Sequence, residues 1–323
     1  MSLFRKLIPL MLVMVMHALQ SCTPPPSILT LKDSDRNVFY PLLQRQVTHH
    51  HFTSYDGTSL SYTYLPNDTA RFTVALIHGI AAHGLLYVPL ADSLVAAGGA
   101  VYLLDIRGHG SSAGKPGHVP DDQTLARDAR AFFKHVQSQN PRLPVVVVGH
   151  SLGTFIWQAA IAKFDEVTPT GAILLAGGMS PERMSRDLRQ LTDQFVYLHK
   201  GSFLLSLLGF DSRPIEILLP EDSLLAAGHF NTRYTMRFLM GQNFTTEEYE
   251  RWLERTREFS LLMVTGSEDE IMSVSALRNA CENARGTDKT FKEIPESTHI
   301  SIIHESIPVL NSWLRSRFNR RKE

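Results

Sequence analysis

The segment Gly149-His150-Ser151-Leu152-Gly153 sets a serine between two glycines, directly after the apolar run Val145 to Val148 and directly before Thr154-Phe155-Ile156-Trp157. The first run has the length and β-branching of a buried strand, and the second opens a helix. So short a join forces a sharp turn, which lifts the serine hydroxyl above the carboxyl end of a sheet. The glycines let the turn pack closely, and the helix behind it aims unpaired N–H groups at any negative charge that develops. Such a serine can attack an electrophilic carbon, provided that a base takes its proton and donors hold the resulting oxyanion. His150, just before it, is expected to pack or hydrogen-bond behind the turn.

One oxyanion donor is expected to be the backbone N–H of Leu152. The second should come from the loop after Thr73 to Ile77, where His78-Gly79-Ile80 offers the N–H of Ile80. The base and its orienting acid should each follow a later strand. Leu261 to Val264 reads as one such strand, and Glu268, Asp269 and Glu270 crowd the loop beyond it. Thr290 to Ile294 reads as the next, with His299 in the loop that follows and His304 a helical turn further on. A loop residue at a strand end reaches the serine more readily than one inside a helix, which favours His299.

These positions demand a scaffold. His51 to Tyr55 and Leu60 to Leu65, separated by Asp56-Gly57, read as a hairpin. Thr73 to Ile77, Ala100 to Leu104, Val145 to Val148, Gly171 to Leu175 and Ser260 to Val264 read as short buried strands. Tyr87 to Ala97, Thr124 to Gln139 and Thr154 to Lys163 read as helices between them. The alternation predicts an α/β architecture: a mostly parallel central sheet with helices on both faces. Residues 180–259 break the pattern with leucine-rich segments and no strong strand signal. They are expected to form an inserted helical cap that divides the core into residues 47–179 and 260–323.

Composition removes other classes. Lys+Arg and Asp+Glu number 32 each in the 323-residue chain, so the basic excess of a nucleic-acid binder is missing. Two cysteines, Cys22 and Cys281, cannot build a disulfide framework. His49-His50-His51 on one strand would point to opposite faces, and neither H-E-x-x-H nor paired-cysteine spacing occurs. No metal and no cofactor are expected.

Three segments together carry a family resemblance. His78-Gly79-Ile80-Ala81-Ala82-His83-Gly84-Leu85-Leu86-Tyr87 resembles the H-G-x-x-x-H…Y segment of the monoacylglycerol lipase and lysophospholipase group, of serine aminopeptidase S33 type, in the α/β-hydrolase superfamily. Asp105-Ile106-Arg107-Gly108-His109-Gly110-Ser111-Ser112 resembles its D-x-R-G-H-G-x-S, and Gly149 to Gly153 its G-H-S-x-G. The resemblance implies the α/β-hydrolase fold, a Ser-Asp-His triad, and cleavage of monoacylglycerol-like or lysophospholipid-like esters through an acyl-enzyme. It places the acid three residues after Gly266, which selects Asp269, and it also favours His299. Glu268 and Glu270 are then expected to face solvent, and the Asp105 to Gly110 side chains to tie loops together. Ala82 departs from the group's usual acidic residue, and Leu152 from its frequent Met. A peptidase or amidase similar to proline iminopeptidases is the alternative, with Glu216, Glu221 and Asp222 as candidates to bind an amine. A non-catalytic surface binding protein is a third reading.

The first 21 residues read as a signal peptide: Arg5 and Lys6, then an apolar run from Leu7 to Leu19 too short to span a bilayer. Leu19-Gln20-Ser21-Cys22 resembles the bacterial lipobox, which implies cleavage before Cys22 and acyl chains on it that hold the protein on a membrane surface. Thr23 in place of Asp favours, by the same resemblance, the outer membrane of a bacterial envelope; a soluble periplasmic protein is the alternative. Residues 22–46 are expected to be a tether and linker: Thr23-Pro24-Pro25-Pro26 as a stiff extended stretch, and residues 27–46 as a loosely specified linker with room for a short helix.

Overall fold

The computed structural model describes residues 24–180, 194–208, 210, 212–220, 230–240 and 245–318. The signal segment and Cys22 lie outside them. The described strands are β1 (His49–Thr53), β2 (Ser59–Leu65), β3 (Phe72–Ile77), β4 (Gly99–Leu104), β5 (Val145–His150), β6 (Gly171–Leu175), β7 (Val196–Leu198), β8 (Ile215–Ile217), β9 (Arg233–Tyr234), β10 (Ser260–Gly266) and β11 (Lys289–Ile294). All but β7, β8 and β9 form one sheet, in the order β1-β2-β4-β3-β5-β6-β10-β11. Within this sheet β2 pairs antiparallel with β1 and β4, and every other pairing is parallel.

Successive side chains of a strand point to opposite faces, so the uninterrupted apolar runs of β3 and β5 need cover on both. On one face Ala75, Ile77 and Val147 share a core with α3 (Thr124–Gln139) and α4 (Leu152–Lys163), and α8 (Val274–Asn283) covers β10 and β11 further along the sheet. On the other, Val74, Leu76, Val146 and Val148 meet α2 (Val88–Ala96) and α10 (Ile307–Phe318). α3 buries Leu125, Ala129, Phe132, Phe133 and Val136, the stripe that a helical period of 3.6 places on one side.

Parallel register fixes the site. Ile77 of β3 lies opposite Gly149 of β5, Gly149 opposite Leu174 of β6, Leu175 opposite Val264 of β10, and Gly266 opposite Ile294 of β11. The loops after β3, β5, β10 and β11 therefore leave the sheet at one edge, although far apart in the chain.

Two regions differ from the sequence expectation. The insertion between β6 and β10 contains helices, among them α5 (Lys200–Leu207), α6 (Met236–Met240) and α7 (Thr246–Arg255), but also the three-stranded antiparallel sheet β7-β8-β9. These strands are two or three residues long, too short for an alternation to register in the sequence. α7 opens on a capping box between Thr245 and Glu248 and ends at buried Arg255, which donates to the carbonyls of Ile161 (2.6 Å) and Phe164 (2.9 Å) at the end of α4. The second region is residues 24–46. They are docked on the body, with α1 (Asp33–Phe39) and the buried side chains Leu29, Asp35, Phe39 and Leu42.

Candidate active site

Ser151 sits between β5 and α4 with φ +49° and ψ −116°, a conformation a non-glycine residue holds only at a cost of about 1–3 kcal/mol. Three bonds hold it there. Its N–H donates to Leu175 O (2.9 Å), and its carbonyl accepts from the N–H (3.0 Å) and hydroxyl (2.7 Å) of Thr154. The flanking glycines are required by close approach: a Cβ on Gly153 would lie 2.1 Å from Ile77 O, and one on Gly149 2.6 Å from Thr154 N.

The loops after β10 and β11 bring Asp269 and His299 to this hydroxyl. His299 Nε2 lies 3.0 Å from Ser151 Oγ, and its Nδ1 lies 2.9 and 3.1 Å from the two Asp269 oxygens. A carboxylate only accepts, so the Nδ1 proton faces Asp269 and Nε2 is left to accept from the serine. Asp269 is itself oriented by the N–H groups of Ile271 (2.9 Å) and Met272 (2.7 Å). Burial opposes a charge on His299, but the nearby Asp269 carboxylate, its hydrogen bond and then Glu270 outweigh it, so the imidazole pKa is raised above 6.5.

Behind the serine runs a directional chain that was only partly legible in sequence. The Gly79 N–H donates to Tyr87 Oη (2.9 Å), Tyr87 O–H to His150 Nδ1 (2.7 Å), and His150 Nε2–H to the His299 carbonyl (3.0 Å). His150 is buried and its pKa is pushed down to about 3, by burial first and then by repulsion from His299. It is a neutral link between the loop after β3 and the loop that carries His299. Sequence reasoning gave it a supporting place and gave Tyr87 none; the aromatic's fixed spacing after His78-Gly79 was the available signal.

The loop after β3 is braced from the insertion as well. Ala81, at φ +64°, donates its N–H to the buried hydroxyl of Tyr234 (2.9 Å), which also lies 2.9 Å from His109 Nε2. His78 joins the same frame: its Nε2 accepts from the Ile106 N–H (3.0 Å) and its Nδ1 faces Gly79 O (2.7 Å). The Asp105 to Gly110 segment ties loops as expected. Asp105 accepts from the N–H groups of Gly84 (2.8 Å) and Ser111 (2.9 Å), and Arg107 pairs with Asp128 (2.7 Å) and Asp56 (2.9 Å). Tyr234 was missed in sequence, because nothing local links it to a loop 153 residues earlier.

Ser151 and His299 open into an apolar pocket. Gly79, Ile80, Ala81, Ala82 and Tyr87 form its inner side, Phe195, Ile217, Leu219 and Phe230 come from the insertion, and Leu29, Leu31 and Phe39 from the N-terminal segment. Among the described lining residues there is no carboxylate. Ile80 therefore lies at the pocket beside the serine, and Leu152 is the first residue of α4. Glu270 differs from its expected solvation: one oxygen accepts from the His299 N–H (2.9 Å) and the other from the Thr30 N–H (2.9 Å). His304 is turned to Asp35, with Nε2 2.7 Å from its carboxylate. Glu216 is held by His199 (2.6 Å) and Arg233 (3.2 Å). Glu221 and Asp222 lie outside the described residues. Cys281 is a buried free thiol in the core, with its pKa raised by burial.

The family model described as serine aminopeptidase, S33, matches residues 68–306. A monoacylglycerol lipase of Mycolicibacterium smegmatis is 37% identical over 116 residues, 36% of this chain and 41% of that protein. A monoglyceride lipase of Mus musculus is 26% identical over 285 residues, 83% of this chain and 90% of its own length. A soluble variant of the monoglyceride lipase of Saccharomyces cerevisiae, solved with a substrate analogue, superposes with a TM-score of 0.62 at 18% identity, covering 85% of this chain and 97% of that one. The shared fold is the α/β-hydrolase fold.

Proposed function

This chain belongs to the serine aminopeptidase S33 family of α/β hydrolases, and on that premise we propose that it cleaves carboxylic esters of monoacylglycerol type through a Ser151-His299-Asp269 triad. The observation that carries this reading is the unbroken line Ser151 Oγ, His299 Nε2, His299 Nδ1, Asp269, opening on an apolar pocket. In it His299 takes the serine proton as the hydroxyl attacks the ester carbonyl. Asp269 keeps the imidazole in the required tautomer and stabilises the imidazolium that forms. The amides on either side of Ile80 are taken by Tyr87 and Tyr234, which leaves the Ile80 N–H, together with that of Leu152, for the oxyanion. His299 then protonates the departing alcohol, and water activated by the same imidazole releases the acid from Ser151.

Lipid-like esters are favoured by the apolar lining and by the names of the relatives above. An aminopeptidase would have to hold an ammonium group near the serine. The described lining offers no carboxylate for it, and Glu216 is already engaged by His199 and Arg233. The lipobox-like Leu19 to Cys22 supports a further part of the reading, a lipid anchor at Cys22 that holds the enzyme on a bacterial envelope membrane. p-Nitrophenyl esters of graded chain length, run beside aminoacyl anilides, test the activity: ester turnover with inert anilides is expected, and the reverse would overturn it. Metabolic labelling with an alkynyl fatty acid tests the anchor, with label expected on the native chain and lost in Cys22→Ala.

A further inference from the structure

The segment from Ser27 to Phe39 precedes the family match and yet contributes side chains to the same pocket as Ser151 and His299. It is fixed at both ends. On the insertion side the Ser27 hydroxyl donates to Leu218 O (2.7 Å) and the Ile28 N–H to Gln194 O (3.0 Å). On the other side its ties land on the loops that carry the acid and the base and on the short helix α9 (Ile302–Glu305) that follows the base. Thr30 donates to Glu270, whose second oxygen holds the His299 N–H; Lys32 Nζ donates to Glu296 O; and buried Asp35 pairs with His304. Between these ties Leu29 is buried and Leu31 half-buried, and both line the pocket together with Phe195, Ile217 and Leu219 of the insertion.

We propose that this strap is the acyl-selecting wall of the pocket, with Leu29 and Leu31 setting the room available to the chain of the substrate ester. The proposal rests on the ester-hydrolase reading. A strap hung from Glu270 keeps a fixed offset from the base, so a change of side-chain size at Leu31 changes the depth of the pocket and not the position of the imidazole. Apolar walls discriminate acyl length by the methylenes that they admit or exclude, each worth roughly 10-fold or more in selectivity.

The test uses the full chain carrying Leu31→Trp or Leu31→Ala and reads the ratio of kcat/KM for p-nitrophenyl octanoate to that for the acetate. The tryptophan should lower the ratio by about tenfold or more, and the alanine should move the optimum to longer chains. A merely structural role would depress both esters together. Labelling by a fluorophosphonate probe is measured in parallel to report an intact site, and Leu29→Phe and Leu29→Ala carry the same test if a Leu31 variant fails to label. Labelled variants of both positions with ratios within about twofold of the native value would overturn the strap proposal while leaving the hydrolase reading in place. A native chain that labels with no probe and cleaves no ester would overturn the hydrolase reading and the strap with it.

Discussion

The pocket has two sides built by different physics. The inner side, from Gly79 to Ala81 with His150, Ser151 and His299, hangs on the register of parallel strands and on backbone hydrogen bonds. The outer side, made by the N-terminal strap and the insertion, has its own short sheet, but it meets the inner side through side-chain ties such as Thr30 to Glu270 and Tyr234 to Ala81. Backbone register tolerates little drift, whereas side-chain ties can be exchanged one by one. In the reading proposed above, chemistry belongs to the first side and selectivity to the second.

The sharpest break of that division is Ser151→Ala. It should lower kcat on esters by about 10⁶-fold with far-ultraviolet circular dichroism unchanged, since the alanine keeps the turn and loses only the attacking oxygen. Asp269→Asn comes next, at about 10⁴-fold in kcat, because an amide no longer enforces the Nδ1–H tautomer of His299. Steady-state kinetics on a short-chain ester measures both.

Acid should loosen the inner side. His150 and His109 are held neutral by burial, with pKa values pushed down to about 3 and about 4 from 6.5. The unfolded chain binds those protons first, so the stability they contribute is complete above pH 6.5 and is lost as the pH falls toward the folded values. At pH 5 each should have cost about 2 kcal/mol, read as a fall in Tm by calorimetry between pH 7.5 and pH 5. His299, with its pKa raised, acts in the opposite sense: its contribution is present below pH 6.5 and is lost as the pH rises through its folded value.

Smaller changes probe where the two sides meet. Tyr234→Phe removes the hydroxyl that the insertion lends to Ala81 and leaves a buried N–H unpaired, at about 1–3 kcal/mol of stability and about a tenfold loss of kcat. Chemical denaturation and ester kinetics read the two effects. Glu270→Gln removes one of the charges that raise the His299 pKa, so the rising limb of the kcat/KM profile should move to lower pH.

The same division governs what could be read in the sequence. The turn at Ser151 and the strands before it were legible because strand, glycines and helix are adjacent in the chain. His299 was legible as a loop residue after a strand, and Asp269 only once family resemblance chose among three neighbouring carboxylates. The docking of the strap is invisible in the sequence, because residues 27–39 carry no sign of the residues, more than two hundred positions away, that receive Thr30 and Asp35. Glu270 was expected to be solvated for the same reason: its partners are Thr30 and a main-chain N–H. The short strands of the insertion fell below the length at which alternation is visible.

The strap limits where the chain can be shortened. The family segment begins at residue 68, so a shortened chain drawn to that boundary would discard β1, β2 and the whole of α1. It would also strip Phe39 from the aromatic edge of His304 and leave that imidazole without its carboxylate. Ile300 and Ile303 would then face water across what had been the inside of the molecule. The smallest piece expected to fold with its selectivity intact starts no later than Ser27, some forty residues ahead of the family segment.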